Sequence, residues 1–236
     1  MHPLKAAAVF INDIDTADKG IHPIDRAPVP SPEEDIEHVE VRGRHGSLTK
    51  KYGFRDIPYP LEFYINESMP FKQAFRKAKQ FLHGAKTLSF SDDEDVHYRV
   101  KSIRIEEAEN IIVKYGRFTV EFILDPFQYE TNETRTITGR TIFTNPGYES
   151  QPYIKATCSG NGKIFVNEEE IQITGINGTI ELDSELMNAY RKTTGNITNL
   201  NNHMVGDFPV FKTGNNVVEF SGAISKLEIN PKWRWL

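Results

Sequence analysis

The sequence predicts a mainly β protein of two domains, and three observations predict it. Short runs of alternating apolar and polar residues recur along the chain. Turn-forming residues punctuate them. The composition also changes near residue 130. Residues 1–130 hold three Asn, four Thr and six Gly, and residues 131–236 hold thirteen Asn, thirteen Thr and ten Gly. More Asn, Thr and Gly means more tight turns between short strands. The reading is therefore an N-terminal domain over 1–130 and a C-terminal one over 131–236. The joint is Asp125-Pro126-Phe127-Gln128-Tyr129, where a proline follows an apolar strand.

At 236 residues and 38% apolar content the chain is long enough to bury a core and too apolar for a disordered tail. Its formal charge of −5 argues against a basic grip on nucleic acid or anionic lipid. The single cysteine, Cys158, rules out an intrachain disulfide framework and a zinc site built on several thiolates. No apolar run approaches the ~20 residues of a bilayer span. Asn12, Asp13 and Asp15 interrupt the apolar stretch from Leu4 to Ile11, and no signal peptide is read.

In the first half, Val39 and Val41 belong to a strand that stops at Gly43-Arg44-His45-Gly46. Further strands are read at 61–65, 98–105 and 118–124, each with one apolar and one wet side, as in an antiparallel sheet packed on one face. One helix is expected after Pro70. Phe71, Ala74, Phe75, Ala78, Phe81 and Leu82 make one stripe of a 3.6-residue period. Ser68 is its expected cap and Gly84 its stop. Its other face carries Lys72, Arg76, Lys77 and Lys79, a solvated surface or a contact for an acidic neighbour. Pro23, Pro28, Pro30 and Pro32 forbid a central strand and make an extended connector or an arm to a neighbouring subunit.

In the second half, 163–166 and 171–173 flank Asn167-Glu168 as a hairpin, and Asn177-Gly178 is the strongest two-residue hairpin signal. Asp183 is read as the cap of a short helix over 184–187. Segments 208–211 and 217–220 flank another turn at Thr213-Gly214-Asn215-Asn216. Strands at this spacing suggest a β-sandwich or jelly roll.

Chemistry is hard to nominate. The seven histidines lack the i, i+4 pairing of a helical metal site. Cys158 has no local base, and it reads as a small strand residue. Asp92-Asp93-Glu94-Asp95 lacks the Gly and twelfth-position Glu of a calcium loop, and it reads as a charged hairpin tip. Gly160-Asn161-Gly162 lacks the Gly-Lys-Ser/Thr of a phosphate loop. Glycosylation acceptors at Asn66, Asn132, Asn177 and Asn196 are discounted without a secretion signal. No catalytic, cofactor-binding or metal-ligating residue is named, and no enzyme activity or cofactor is expected. Both tryptophans, Trp233 and Trp235, sit near the C-terminus, where they pin it to its own domain or anchor an interface.

The order of several phrases resembles the siphophage distal tail protein (Dit) family. These are the Pro-rich stretch after Asp25-Arg26 leading into 39–46, the 88–105 hairpin, and 118–122 followed by 125–129. In the second half they are 145–152, 180–184, Gly206-Asp207-Phe208-Pro209, Thr213–Asn216 and Pro231-Lys232-Trp233-Arg234. The resemblance covers nearly the whole chain. It implies an N-terminal β-sandwich with a helix and a protruding hairpin, and a C-terminal galectin-like β-sandwich.

It also implies a homo-hexameric ring, with rings that sometimes pair, at the tail tip of a virion assembled in a bacterial cytoplasm. The implied partners are the tail tube protein, a tail-associated lysin or tail fibre, and receptor-binding proteins. DNA would cross the lumen without specific binding, and no membrane is involved. Six copies carry a formal charge of about −30, which would repel a phosphate backbone. The Pro-rich arm and the Asp92–Asp95 hairpin are the sequence's candidates for ring contacts. The alternatives are a carbohydrate-binding module, with Tyr148, Tyr153 and Tyr190 as stacking surfaces, and a hydrolase of cell-wall polymers.

Overall fold

A computed structural model of the protein describes residues 8–66 and 69–236. The chain is mainly β, and it divides into two compact units, one ending at Tyr129 and one running from Glu130 to Trp235. No helix among the described residues is long and apolar enough to cross a membrane.

In the first unit β1 (Val9–Ile11) turns into β2 (Ile14–Asp15) through Asn12 and Asp13. Both turn residues have positive φ, of 51° and 62°, which is the geometry of a two-residue primed hairpin. Then follow β3 (His22–Pro23), β4 (Glu34–Glu40), β5 (Ser47–Phe54) and β6 (Ile57–Asn66). After the helix α1 (Phe71–Leu82) come β7 (Thr87–Phe90), β8 (Asp93–Ile105), β9 (Glu109–Ile112) and β10 (Tyr115–Glu130). The main sheet runs in the order β2-β1-β7-β8-β10-β6-β3, with β9 beside β10. Strands β4 and β5 pair only with each other.

Strict alternation on β6 buries Ile57, Tyr59, Leu61, Phe63 and Ile65 and leaves Pro58, Pro60 and Glu62 outside. On the antiparallel neighbour β10, Phe118, Val120, Phe122 and Leu124 face the same way. Helix α1 lays Phe71, Ala74, Ala78 and Leu82 on this apolar face, and Phe75 stands 5.0 Å from the Phe118 ring. The helix start differs from the expectation. Ser68 lies outside the described residues, Pro70 occupies the cap position without a side-chain bond, and the Val113 carbonyl accepts from the Phe71 N–H at 2.8 Å. The end differs too. His83 is the C-cap, in right-handed geometry, and Gly84 follows it without a left-handed φ, its carbonyl accepting from Asn12 Nδ2 at 2.8 Å.

The second unit contains β11 (Arg135–Ile137), β12 (Thr141–Asn145), β13 (Tyr153–Val166), β14 (Glu169–Asp183), β15 (Asn188–Thr193), β16 (Asn196–Asn199), β17 (Met204–Val205), β18 (Gly214–Asn230) and β19 (Arg234–Trp235). Its sheet runs β11-β18-β13-β14-β15-β16, with β12 on β18 and β17 on β14. One face of the long strands supplies a single apolar cluster that includes Ile154, Ile164, Ile180, Leu227 and Phe211. The β13–β18 register slips between Cys158 and Gly162. There a Cβ on Gly162 would meet the Ile224 side chain at 2.5 Å, and Gly222 sits at φ +74°, so the bulge requires both glycines.

Asn167-Glu168 does form the hairpin that joins β13 to β14, with Asn167 at φ 59°. Three local expectations are corrected. Asn177-Gly178 is not a turn but part of continuous β14, paired with Ser159 and Cys158. Gly178 has a φ of +106° yet keeps regular pairing with Cys158, so the chain does not reverse. Asp183 caps a turn rather than a helix, and its carboxylate accepts from the N–H groups of Glu185 and Leu186. Residues 208–211 are not a strand opposite 217–220, because Phe211 bridges instead to Ser150.

Candidate assembly surfaces

The strand around Val39 was expected to have one buried side. It does not. The two strands β4 and β5 form a separate ribbon with no residue fully buried, and Val41, Leu48 and Tyr52 stand exposed. Seven residues of strand extend about 23 Å at ~3.3 Å per residue, so this is a projecting arm. Ion pairs lace it across the strands. Lys51 meets Glu34 at 2.7 Å, and Arg55 meets Asp35 at 2.7 Å. The tip, Val41-Arg42-Gly43-Arg44-His45-Gly46, carries two arginines and two glycines at φ +82° and +74°. The base is held by Phe54, edge-on to Phe127 at 5.9 Å.

The Pro-rich stretch lies along its own unit. Tyr59 donates its hydroxyl to the Pro28 carbonyl at 2.6 Å, and Arg26 pairs with Asp92 at 2.7 Å. Val29 is left 89% exposed between two prolines. The acidic run closes the β7–β8 hairpin, where Phe90 pairs with Asp93, so it is a hairpin tip as read from sequence. It is a short turn in the main sheet, however, and the projecting element is β4–β5. Sequence reasoning also missed the end of β9 and the turn behind it, where Ile111, Ile112 and Val113 are more than half exposed. Three consecutive β-branched residues ahead of Lys114 were its only signal.

The basic side of α1 emerges as expected. Lys72, Arg76 and Lys77 are exposed, and Lys79 lies half-buried over the Phe75 ring at 5.1 Å. Among the described residues none of the four has a carboxylate partner within ion-pair distance. Glu62, Glu106, Glu107 and Glu109 line an open groove with Arg117 and Thr119.

In the second unit Tyr153, Glu181 and Tyr190 come together on three adjacent strands. The Glu181 carboxylate is nearly buried. It accepts from the Tyr153 hydroxyl at 2.8 Å and from the Lys192 N–H at 3.2 Å. Burial and the Glu181 hydrogen bond push the Tyr153 phenol well above its ordinary range. Both oxygens of this acid are thus occupied by the protein itself, and the cluster is a structural network. Lys232 ties the turn after β14 to the C-terminal segment through Asp183 at 3.2 Å and Glu185 at 3.0 Å. Trp233 joins the core 5.5 Å from Phe211, and Trp235 donates its indole N–H to Glu130 at 2.7 Å. Both tryptophans pin the end of the chain to its own unit. Gly147 is needed beneath them, because a Cβ there would strike the Arg234 carbonyl.

The residues weighed for chemistry are dispersed. His22 stacks on Tyr64, His97 on Tyr129, and His203 Nδ1 lies 2.8 Å from the Thr174 carbonyl. Burial pushes the Cys158 thiol up, which disfavours the nucleophilic thiolate. Among the described residues no group of three or more His, Cys, Asp or Glu is placed to hold a metal ion.

No family model and no curated protein matches the chain. Solved structures do. One is the SPP1 Dit protein, described as a paradigm of the hub adsorption apparatus in phages that infect Gram-positive bacteria. It matches with a TM-score of 0.67 over 98% of this chain and 100% of that chain, at 11% identity. Chains of the phage p2 baseplate in its activated conformation, with strontium or calcium, match over 92% of each chain at 8% identity, with TM-scores of 0.49 and 0.50. At these identities the likeness is one of fold.

Proposed function

We propose that this chain is a distal tail protein, a structural component of a phage tail tip. In this reading residues 1–130 form a hexameric ring, and residues 131–236 form a galectin-like sandwich outside it. The ring joins the tail tube to the tail-fibre or tail-lysin hub and carries receptor-binding proteins, while DNA passes through without being held. The observation that carries the reading is the fold match to the hub protein, which spans 98% of this chain and 100% of that chain. The exposed β4–β5 arm supports it, because an isolated two-stranded ribbon is marginal in water and gains by packing on another surface. A non-enzymatic role is part of the proposal, and the dispersed histidines, buried thiol and self-occupied Glu181 agree with it.

Native mass spectrometry of the full chain tests it. The expected species has six times the 27.0 kDa chain mass, or twelve times if rings pair, and micrographs show an annulus. A chain that stays monomeric at micromolar concentration, or one that turns over a cell-wall polymer, would overturn the reading.

A further inference from the structure

The main sheet of the first unit separates two surfaces of opposite charge. On one side α1 covers the apolar face and turns Lys72, Arg76 and Lys79 outward. These positions are spaced i, i+4, i+7 and form one stripe. The helix contains no acidic residue to neutralise them. On the other side Glu62 points away from the helix, because its neighbours Leu61 and Phe63 are buried beneath it. Register places Glu62 opposite Thr119, and the Glu106 N–H bonds the Thr119 carbonyl, which gathers Glu62, Glu106, Glu107 and Glu109 around one groove. All four carboxylates are exposed. Arg117 is the basic residue in the lining, and its Nε is bonded to the Tyr115 hydroxyl.

We propose that the Lys72–Arg76–Lys79 stripe of one copy docks in the Glu62–Glu106–Glu107–Glu109 groove of the next copy. The inference rests on the ring reading and names the contact that closes it. Because the two patches lie on opposite sides of the sheet layer, one molecule cannot satisfy its own charges. A two-fold dimer would bring like surfaces together. A head-to-tail contact satisfies both patches of every copy, and such a contact closes into a ring when its rotation divides the circle. Complementary charge also fixes register and excludes the inverted arrangement.

Two reversed variants of the full chain test it. One carries Lys72→Glu, Arg76→Glu and Lys79→Glu, and the other Glu62→Lys, Glu107→Lys and Glu109→Lys. Five of the six positions are exposed and Lys79 is half-buried over the Phe75 ring, so far-UV circular dichroism checks that both variants fold. Each alone should need about tenfold or more protein to half-assemble, since several exposed pairs become repulsive. Mixed one to one they should recover rings that alternate the two variants, because each then meets an opposite charge on both sides. Native mass spectrometry reads this directly from the mass difference.

The unmodified protein supplies an independent measurement. Raising salt to 1 M shortens the screening length to about 3 Å and should shift its half-assembly concentration upward. Variants that assemble alone like the parent overturn the contact and leave the ring standing. So do reversed variants that stay apart when mixed, and so does a parent assembly indifferent to salt. A parent that never assembles overturns the ring reading itself.

Discussion

The first unit holds two antiparallel strand pairs of opposite character. In the β6–β10 pair every second residue enters the core, and Phe63, Val120, Phe122 and Leu124 are fully buried. In the β4–β5 pair both faces meet water, and cross-strand pairs such as Lys51–Glu34 replace apolar contacts. Burial of apolar surface is the larger force by far, at about 25 cal/mol per Å², while exposed ion pairs contribute little. The first pair therefore makes the unit stable. The second adds almost nothing to that stability, and its exposed Val41, Leu48 and Tyr52 add little apolar burial to the unit.

Two truncations would break that contrast if it is wrong. Phe122→Ala empties a fully buried site and should cost about 3–5 kcal/mol in a denaturant titration. Leu48→Ala on the arm should change the stability of the dissociated chain by no more than about 0.5 kcal/mol. The same arm substitution should lower the hexamer fraction in native mass spectrometry. A large loss of stability at Leu48 would mean that the arm packs on its own unit.

The residues that bury themselves locally were the legible ones. Alternation at 61–65 and 118–124 and the 3.6-residue stripe of α1 each describe one element facing one core, and each was readable from spacing alone, although the first strand proves longer, starting at Ile57. What failed depended on partners distant in sequence. Val39 and Val41 alternate like core residues, yet nothing in their neighbourhood tells that no second layer covers them. Asn177-Gly178 carries a hairpin signal, but pairing with Cys158 and Ser159 on β13 holds it straight. The start of α1 relies on the Val113 carbonyl, more than forty residues away. The charged stripe of α1 was legible, but the groove that complements it joins Glu62 to Glu106, Glu107 and Glu109 only through strand register.

A smaller effect sharpens the comparison by pH. His97 on β8 stacks against Tyr129 at 6.2 Å, and Arg99 lies 3.6 Å over the same ring. Burial, followed by the charge of Arg99, lowers the His97 pKa, while Asp13 opposes the shift. The folded unit thus prefers neutral His97, and the unfolded chain binds its proton more readily. Stability from this group is fully present above about pH 6.5, the ordinary histidine value, and is lost as pH falls from there through the depressed value. In thermal melts His97→Phe should keep the ring contact and flatten that acid-side loss. An unchanged pH profile would show that His97 is equally protonated in both states.

The smallest effect is expected at the base of the arm. Arg55 donates from Nε and Nη2 to one Asp35 oxygen, at 3.1 and 2.7 Å, with both side chains largely in water. Solvent screening weakens such a pair, and ordering two long side chains offsets much of what remains. The thermal midpoint of Arg55→Gln should therefore match that of the parent when both are dissociated. Its assembled fraction should fall, because a ribbon with fewer cross-strand ties samples more orientations and loses more freedom on docking. The parent and the variant should then differ in ring content and not in unfolding. If both measurements move together, the arm and the sheet form one cooperative unit, and the division of labour between the two strand pairs is wrong.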